Sequence, residues 1–365
     1  MTWADWAATE ADSIRAAGQW RQLRSLEGRG PRFELEDGRS VVAFASNDYL
    51  GLSQHPAVCA AARAAVERWG AGTGSSRLVV GDRPVHSELE NSLADWRGVE
   101  AVLVFATGYQ ANLAVLTTFG AGARIVSDEL NHASIIDGAR LARAEVVVYR
   151  HGDADHADQL VRSAPGRALL VSDTVFSMDG DVAPVAELSN LCARRGAMLV
   201  LDDAHAVFDV DPVDPQVACI RVGTLSKALG SQGGYVAGSR PFVDLVVNRG
   251  RSFVFTTGLA PSSAAAAKAA VDICRSAEGG RLRRTLRGHV DAIRERHPSP
   301  IVPVVMGDEA SALAASTKLL GAGLLVPAIR PPTVPAGTSR LRVSLSAAHS
   351  GDEVTRLAKA LADLP

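Results

Sequence analysis

Six short apolar runs constrain this chain more than any other feature. They are Val102–Ala106, Ile125–Asp128, Ala168–Ser172, Ala197–Asp202, Cys219–Val222 and Gly234–Gly238, and polar or glycine-bearing turns close them. Runs of this length with no polar alternation read as strands covered on both faces, the situation that crossover helices create in a parallel sheet. Helical stretches lie between several of them, as over Val185–Arg195. The pattern predicts an α/β domain, a mostly parallel sheet with helices on both faces. Parallel strands present ligand-binding side chains at their carboxyl ends, so the residues just after each run are where chemistry is expected.

Those strand ends carry a coherent set of groups. Lys227 sits in Val222-Gly-Thr-Leu-Ser-Lys-Ala-Leu-Gly230, among small and apolar neighbours where a solvated lysine is out of place. The strand before it ends on Asp202 and His205. A lysine able to form a Schiff base, with an acid able to pair with a pyridinium nitrogen, is the minimal equipment for pyridoxal phosphate (PLP). Thr107-Gly108-Tyr109 opens a helix directly after a strand, and free N–H groups at a helix start suit a phosphate. Thr224 and the Gly108-Tyr109 turn are the expected phosphate donors. His132, in Asn131-His-Ala-Ser134, is flat and suited to stacking on the ring, while His205 and Ser177 reach toward its hydroxyl. Arg342, on a late alternating strand, is the natural fork for a substrate carboxylate. Taken singly, several of these are no more than ordinary strand–helix junctions.

The flanks differ in kind. Residues 1–30 read as a helical arm with a weak apolar stripe, and Arg32–Val42 alternates around Asp37-Gly38 as a β-hairpin does. A helix enters through Pro56, and the glycine-rich Gly70–Arg77 fits neither Walker nor dinucleotide spacing. Beyond Pro261 come an alanine-rich helix, a basic helical segment and a βαββ-like ending over Ile301–Val305, a helix to Leu320, Leu325-Val326 and Arg340–Ser346. We therefore expect an arm and hairpin over 1–44, a large cofactor domain over 45–258 and a small C-terminal α+β domain over 259–365. Net charge is −2 with no long run of one sign, which points away from nucleic acid and membrane surfaces. Cys59, Cys192, Cys219 and Cys274 form no CxxC pair, so free thiols are expected and no metal site. With no signal-type N-terminus or membrane-length apolar run, the expected location is cytoplasmic.

Six ordered motifs make the chain resemble the α-oxoamine synthases, a branch of the fold-type I PLP enzymes, over nearly its whole length. They are Ser46-Asn-Asp-Tyr-Leu-Gly51, Ala106-Thr-Gly-Tyr109, Asn131-His-Ala-Ser134, Phe176-Ser-Met-Asp-Gly180, Asp202-Asp-Ala-His205 and Thr224-Leu-Ser-Lys227. Within that family, the tail from Ala328 to Arg342, with its Pro331-Pro-Thr333, is similar to the members that condense L-alanine with a pimeloyl thioester in biotin biosynthesis. The resemblance implies Lys227, Asp202 and His132 as the catalytic set. It further implies Arg21 and Thr333 as substrate contacts, Asn47 with Arg342 on the amino-acid carboxylate, and His132 over ring and alanine. It also implies a homodimer with a shared active site, in which Phe255-Thr-Thr-Gly258 reaches the neighbour's phosphate. One departure stands out. The family runs from its Asp-Asp-Ala-His into a long glycine-rich loop, whereas here Ala206–Pro215 is short and acidic, and Lys227 follows Asp202 by 227 − 202 = 25 positions. Two alternatives remain open at this point: a relative using glycine and a short acyl-CoA, and a weakly active or non-catalytic PLP-binding homologue.

Overall fold

In the computed structural model, which describes residues 1–364, the chain opens with an exposed helix, Trp3–Ala16, reciprocally capped by Thr2 and Asp5. None of its residues is buried, in keeping with the weak stripe. Strands β1 (Glu27–Arg29), β2 (Arg32–Glu34) and β3 (Ser40–Ala43) follow, and β2 pairs antiparallel with β3 across the expected turn, where Gly38 takes φ +80°.

The large sheet holds seven strands: β4 (Ala101–Phe105), β5 (Arg124–Asp128), β6 (Glu145–Tyr149), β7 (Ala168–Asp173), β8 (Met198–Asp202), β9 (Cys219–Thr224) and β10 (Gly234–Gly238). Their order is β4-β10-β9-β8-β7-β5-β6. Strands β5 to β9 pair parallel, and β10 runs antiparallel to both of its neighbours. Strand β6 lies outside the six runs. It is an edge strand with Val146 and Val148 facing solvent, and the helix before it ends through Arg143 at φ +52°, with no glycine or proline to announce the turn.

Period-2 alternation divides the strands inside the sheet between two cores. In β8, Val200 joins a core with Leu116 and Phe119 of the helix Gly108–Phe119 and Val246 of Arg240–Arg249. Leu199 and Leu201 face the other way, onto Leu188 and Leu191 of Val185–Arg195 and Val161 of Ala154–Arg162. Burying one such leucine stabilises the fold by roughly 2 kcal/mol, so the sheet is held rigidly from both sides.

The C-terminal part contains β11 (Ile301–Gly307), β12 (Leu324–Leu325), β13 (Ala328–Ile329) and β14 (Ser339–Ser344). Three of these make an antiparallel sheet in the order β11-β14-β13. The Leu325-Val326 strand expected in that sheet belongs elsewhere: β12 pairs parallel with β3, adding a fourth strand to the N-terminal hairpin sheet. Two backbone bonds, from Ser344 N to the Phe44 carbonyl (2.9 Å) and from Ala347 N to the Tyr49 carbonyl (2.8 Å), tie residues 44–49 to the end of β14. That stitching brings Asn47 beside Arg342.

Candidate active site

Strands β7, β8 and β9 end level, with Asp173 opposite Asp202 and Asp202 opposite Val222. Their carboxyl ends open into a cavity of about 600 Å³. Seven of the eight residues expected to hold the cofactor line it: Gly108, Tyr109, His132, Asp202, His205, Thr224 and Lys227. The eighth, Ser177, is absent from the lining and takes part through its carbonyl, which accepts from Arg342 Nε. Asn112, Ser134, Asp173 and Val175 line the cavity as well.

Lys227 follows β9 in a turn that closes at Gly230, φ +58°, where a Cβ would lie 2.2 Å from Ser53 N. Its Nζ stands 2.7 Å from His205 Nε2. Burial is the main influence on this amine and lowers it from 10.5 to about 8, against the opposing pull of Asp202 and Asp173. A lysine held this way has free amine to react near neutral pH.

Opposite it, the buried Asp202 accepts from Asn112 Nδ2 at 2.6 Å on one oxygen and from Ala204 N at 2.9 Å on the other. Asn112 gives a second hydrogen to Ser134 Oγ, 2.8 Å away. His132 caps the helix Ala133–Leu141, its Nδ1 accepting from Ser134 N (3.2 Å) with Ser134 Oγ also at 2.7 Å. An Nδ1 that accepts from a backbone N–H carries no hydrogen, so His132 is neutral with its hydrogen on Nε2. Burial lowers its pKa in the same sense. Asp173, fully buried next to Asp202, is driven well above the usual carboxylate range by desolvation first and by the Asp202 charge second.

The helix Gly108–Phe119 begins at the far end of the cavity. Thr107 caps Gln110 N at 3.1 Å, while Gly108 N and Tyr109 N occupy the first turn, where no intrahelical acceptor exists. Gly234 lets the two backbones meet there, since a Cβ on it would stand 2.4 Å from Gly108 Cα. Thr224 Oγ1 donates to the Gly233 carbonyl at 3.0 Å. That carbonyl also accepts from Ser226 Oγ and Leu225 N, so the Thr224 hydrogen can be turned to another acceptor. Unpaired helix-start donors at one end, a held carboxylate at the other and a lysine between them fit PLP.

Arg342, buried despite its charge, donates to Ser344 Oγ at 2.7 Å and to Asn47 Oδ1 at 3.2 Å. Asn47 reaches the cavity through Tyr49, whose hydroxyl is 3.0 Å from Asn47 Oδ1 and 2.6 Å from His205 Nδ1. Arg21 and Thr333, 333 − 21 = 312 positions apart, lie together in a separate cleft of about 1250 Å³ with Trp20 and Arg330. The short segment after His205 is fastened at both ends: Arg287 stacks 3.7 Å from the Phe208 ring centre, and Asp214 N donates to Ser189 Oγ at 2.8 Å. Sequence reasoning missed Asn112, Ser134, Asp173 and Tyr49 as site residues. A polar residue inside the apolar helix face was the available signal for Asn112, and position directly after a buried run was the signal for Asp173.

The family model for aminotransferase class I and II matches residues 39–361. A protein of Methylobacterium sp. (strain 4-46) named 8-amino-7-oxononanoate synthase is 48% identical, covering 98% of this chain and 96% of its own. Among solved structures, the serine palmitoyltransferase of Sphingomonas wittichii is 31% identical with a TM-score of 0.88, covering 98% of this chain and 96% of that one. A serine palmitoyltransferase solved with PLP is 30% identical with the same TM-score and the same coverage.

Proposed function

We propose a division of labour among these residues on one premise: this chain belongs to the aminotransferase class I and II family and, within it, to the 8-amino-7-oxononanoate synthases. It is a PLP-dependent C-acyltransferase of biotin biosynthesis. L-Alanine and a pimeloyl thioester condense to 8-amino-7-oxononanoate, with release of the thiol and CO₂. When bound, PLP supplies a carbonyl for the amino group and an electron sink that acidifies the substrate Cα–H.

Everything else falls to the chain. Lys227 holds the cofactor and, once displaced, takes and returns the proton at the substrate Cα. Its lowered proton affinity suits that exchange. Asp202, oriented by Asn112 and Ala204 N, holds the ring nitrogen in its protonated form. The start of the helix Gly108–Phe119, with Thr224, holds the phosphate, and His132 closes over the ring. Asn47 and Arg342 hold the amino-acid carboxylate, which sets Cα toward Lys227. Arg21 and Thr333 contact the acyl donor in the cleft they share.

The observation that carries this reading is a near-full-length match whose six motifs converge on one structure: four of them line the cavity itself, one joins it through Asn47 and Tyr49, and one meets Arg342 through the Ser177 carbonyl. The test follows thiol release from pimeloyl-CoA with alanine, glycine and serine, in wild type and Lys227→Ala. Release with alanine that is lost in the variant supports the reading; release that survives in Lys227→Ala overturns it.

We further propose that the active form is a homodimer with shared sites. Val79, Val80 and Phe255 are exposed large apolar side chains, and Gly258 N donates to the Ser75 carbonyl at 2.9 Å, joining their two segments. Such a surface calls for a partner. A monomeric mass for the active enzyme in solution contradicts this. The division into an arm and hairpin (1–44), a cofactor domain (45–258) and a small domain (259–365) belongs to the same reading. It is supported by the confinement of the large sheet to residues 101–238.

A further inference from the structure

We infer that Tyr49 is a positioning residue: it fixes which ring nitrogen of His205 carries the hydrogen, and so links the carboxylate fork to Lys227 by an unbroken line of hydrogen bonds. What the fork and the lysine do rests on the synthase reading above; the hydrogen-bond assignment does not.

The hydrogens can be assigned one at a time, beginning from a group with no choice. A guanidinium only donates. The Asn47 atom that Arg342 Nη2 meets at 3.2 Å is therefore the amide oxygen. The same oxygen lies 3.0 Å from the Tyr49 hydroxyl, which can only donate to it. Tyr49 has one hydrogen, so toward His205 Nδ1, at 2.6 Å, its oxygen must accept. His205 Nδ1 is thereby the protonated nitrogen. Lys227 Nζ, a donor 2.7 Å from Nε2, leaves no place for a second hydrogen on the ring, and burial together with the Lys227 and Arg342 charges pushes His205 well below the usual imidazole range in the same sense. Its Nε2 is then a bare lone pair, matched by a donor hydrogen of Lys227 Nζ at 2.7 Å. Each contact in the line acquires one donor and one acceptor, with none left over.

Tyr49 is suited to hold this pattern. It is fully buried, desolvation keeps its phenol protonated, and its carbonyl is pinned by Ala347 N at 2.8 Å. Phenylalanine fills the same volume but can neither accept from Nδ1 nor donate to Asn47. Without Tyr49, the His205 hydrogen moves to Nε2, and Lys227 loses the acceptor that favours its ammonium form.

The test uses the cofactor-free protein, so its outcome is independent of any turnover assay. Long-range proton–nitrogen correlation spectra of ¹⁵N-labelled protein report ring tautomers, and the His205→Asn variant identifies the His205 signals. Wild type should show hydrogen on Nδ1 and a bare Nε2. Tyr49→Phe should move hydrogen to Nε2. It should also lower the pH midpoint for Lys227 labelling by trinitrobenzenesulfonate, read by peptide mass spectrometry, by about one pH unit. Hydrogen on Nε2 in wild type overturns the inference, as does a Tyr49→Phe protein unchanged in both readouts. Should Tyr49→Phe not fold, the wild-type spectrum alone decides.

Discussion

Replacing Lys227 with methionine should stabilise the cofactor-free protein while abolishing its activity. Burial holds the Lys227 amine at about 8 instead of 10.5. A gap of 10.5 − 8 = 2.5, at 1.36 kcal/mol per tenfold, disfavours the folded ammonium form by about 3 kcal/mol. Because the folded value lies below the unfolded one, this penalty is complete at pH values below about 8. It fades as pH rises toward 10.5, where the unfolded lysine also loses its proton. At pH 6.5 the full 3 kcal/mol applies, and at pH 9.5 about 1.4 kcal/mol remains. Methionine removes the charge at similar length but forfeits the bond to His205, a loss of about 1 kcal/mol. The net expectation is a gain of about 2 kcal/mol at pH 6.5 and close to none at pH 9.5. Urea unfolding of both cofactor-free proteins at the two pH values measures this. A Lys227→Met protein less stable than wild type at pH 6.5, or an advantage that does not shrink with pH, refutes the account of Lys227 as a desolvated amine. A function-bearing lysine kept at the expense of stability is the general form of that trade-off.

Three other perturbations test separate parts of the site. Arg342→Lys keeps the charge but loses the planar fork, so the KM for alanine should rise roughly 30-fold, equivalent to about 2 kcal/mol, with a smaller change in kcat; an unchanged KM argues against the carboxylate role. Gly234→Ala places a methyl 2.4 Å from Gly108 Cα and 2.5 Å from Gly108 N. It should weaken PLP binding by at least about tenfold through displaced phosphate donors, measured by absorbance titration of the cofactor-free protein. His151 bridges Asp128 (3.0 Å) and Asp181 (2.7 Å), and these carboxylates raise it to about 10. The stability it adds is full below about pH 6.5 and lost as pH climbs through 10, so His151→Gln should destabilise the protein at pH 6 and make little difference above pH 10.5. An effect equal at both pH values would mean that packing against Phe176, not charge, is what His151 provides.

Much of this site was legible in the sequence because parallel strands force it to be. Lys227, Asp202, His132 and Thr107–Tyr109 each follow a run of apolar residues, and a doubly covered sheet delivers all such ends to one edge. What remained hidden has identifiable causes. Asn112 orients Asp202 from the second turn of a helix, where a lone polar residue in an apolar face has no periodic signature. Ser134 is visible in its motif, but its part in setting the His132 tautomer depends on a contact with Asn112, which no local pattern encodes. Ser177 carries a hydroxyl suited to the cofactor, yet its carbonyl meets Arg342. Strand β12 has only two residues, and its partner β3 lies about 280 positions earlier, a pairing no local pattern reports. The short segment after His205, residues 206–215, contains no glycine, and Phe208 under Arg287 supplies the anchoring that its composition did not announce.

The most direct test of the central claim is mass spectrometry of the products formed by purified protein with PLP, L-alanine and pimeloyl thioesters of coenzyme A or of acyl carrier protein, run beside matching glycine reactions. The account predicts 8-amino-7-oxononanoate from alanine with at least one of the two thioesters, and no comparable product from glycine. A condensation product from glycine alone, or none from alanine with either thioester, would contradict it.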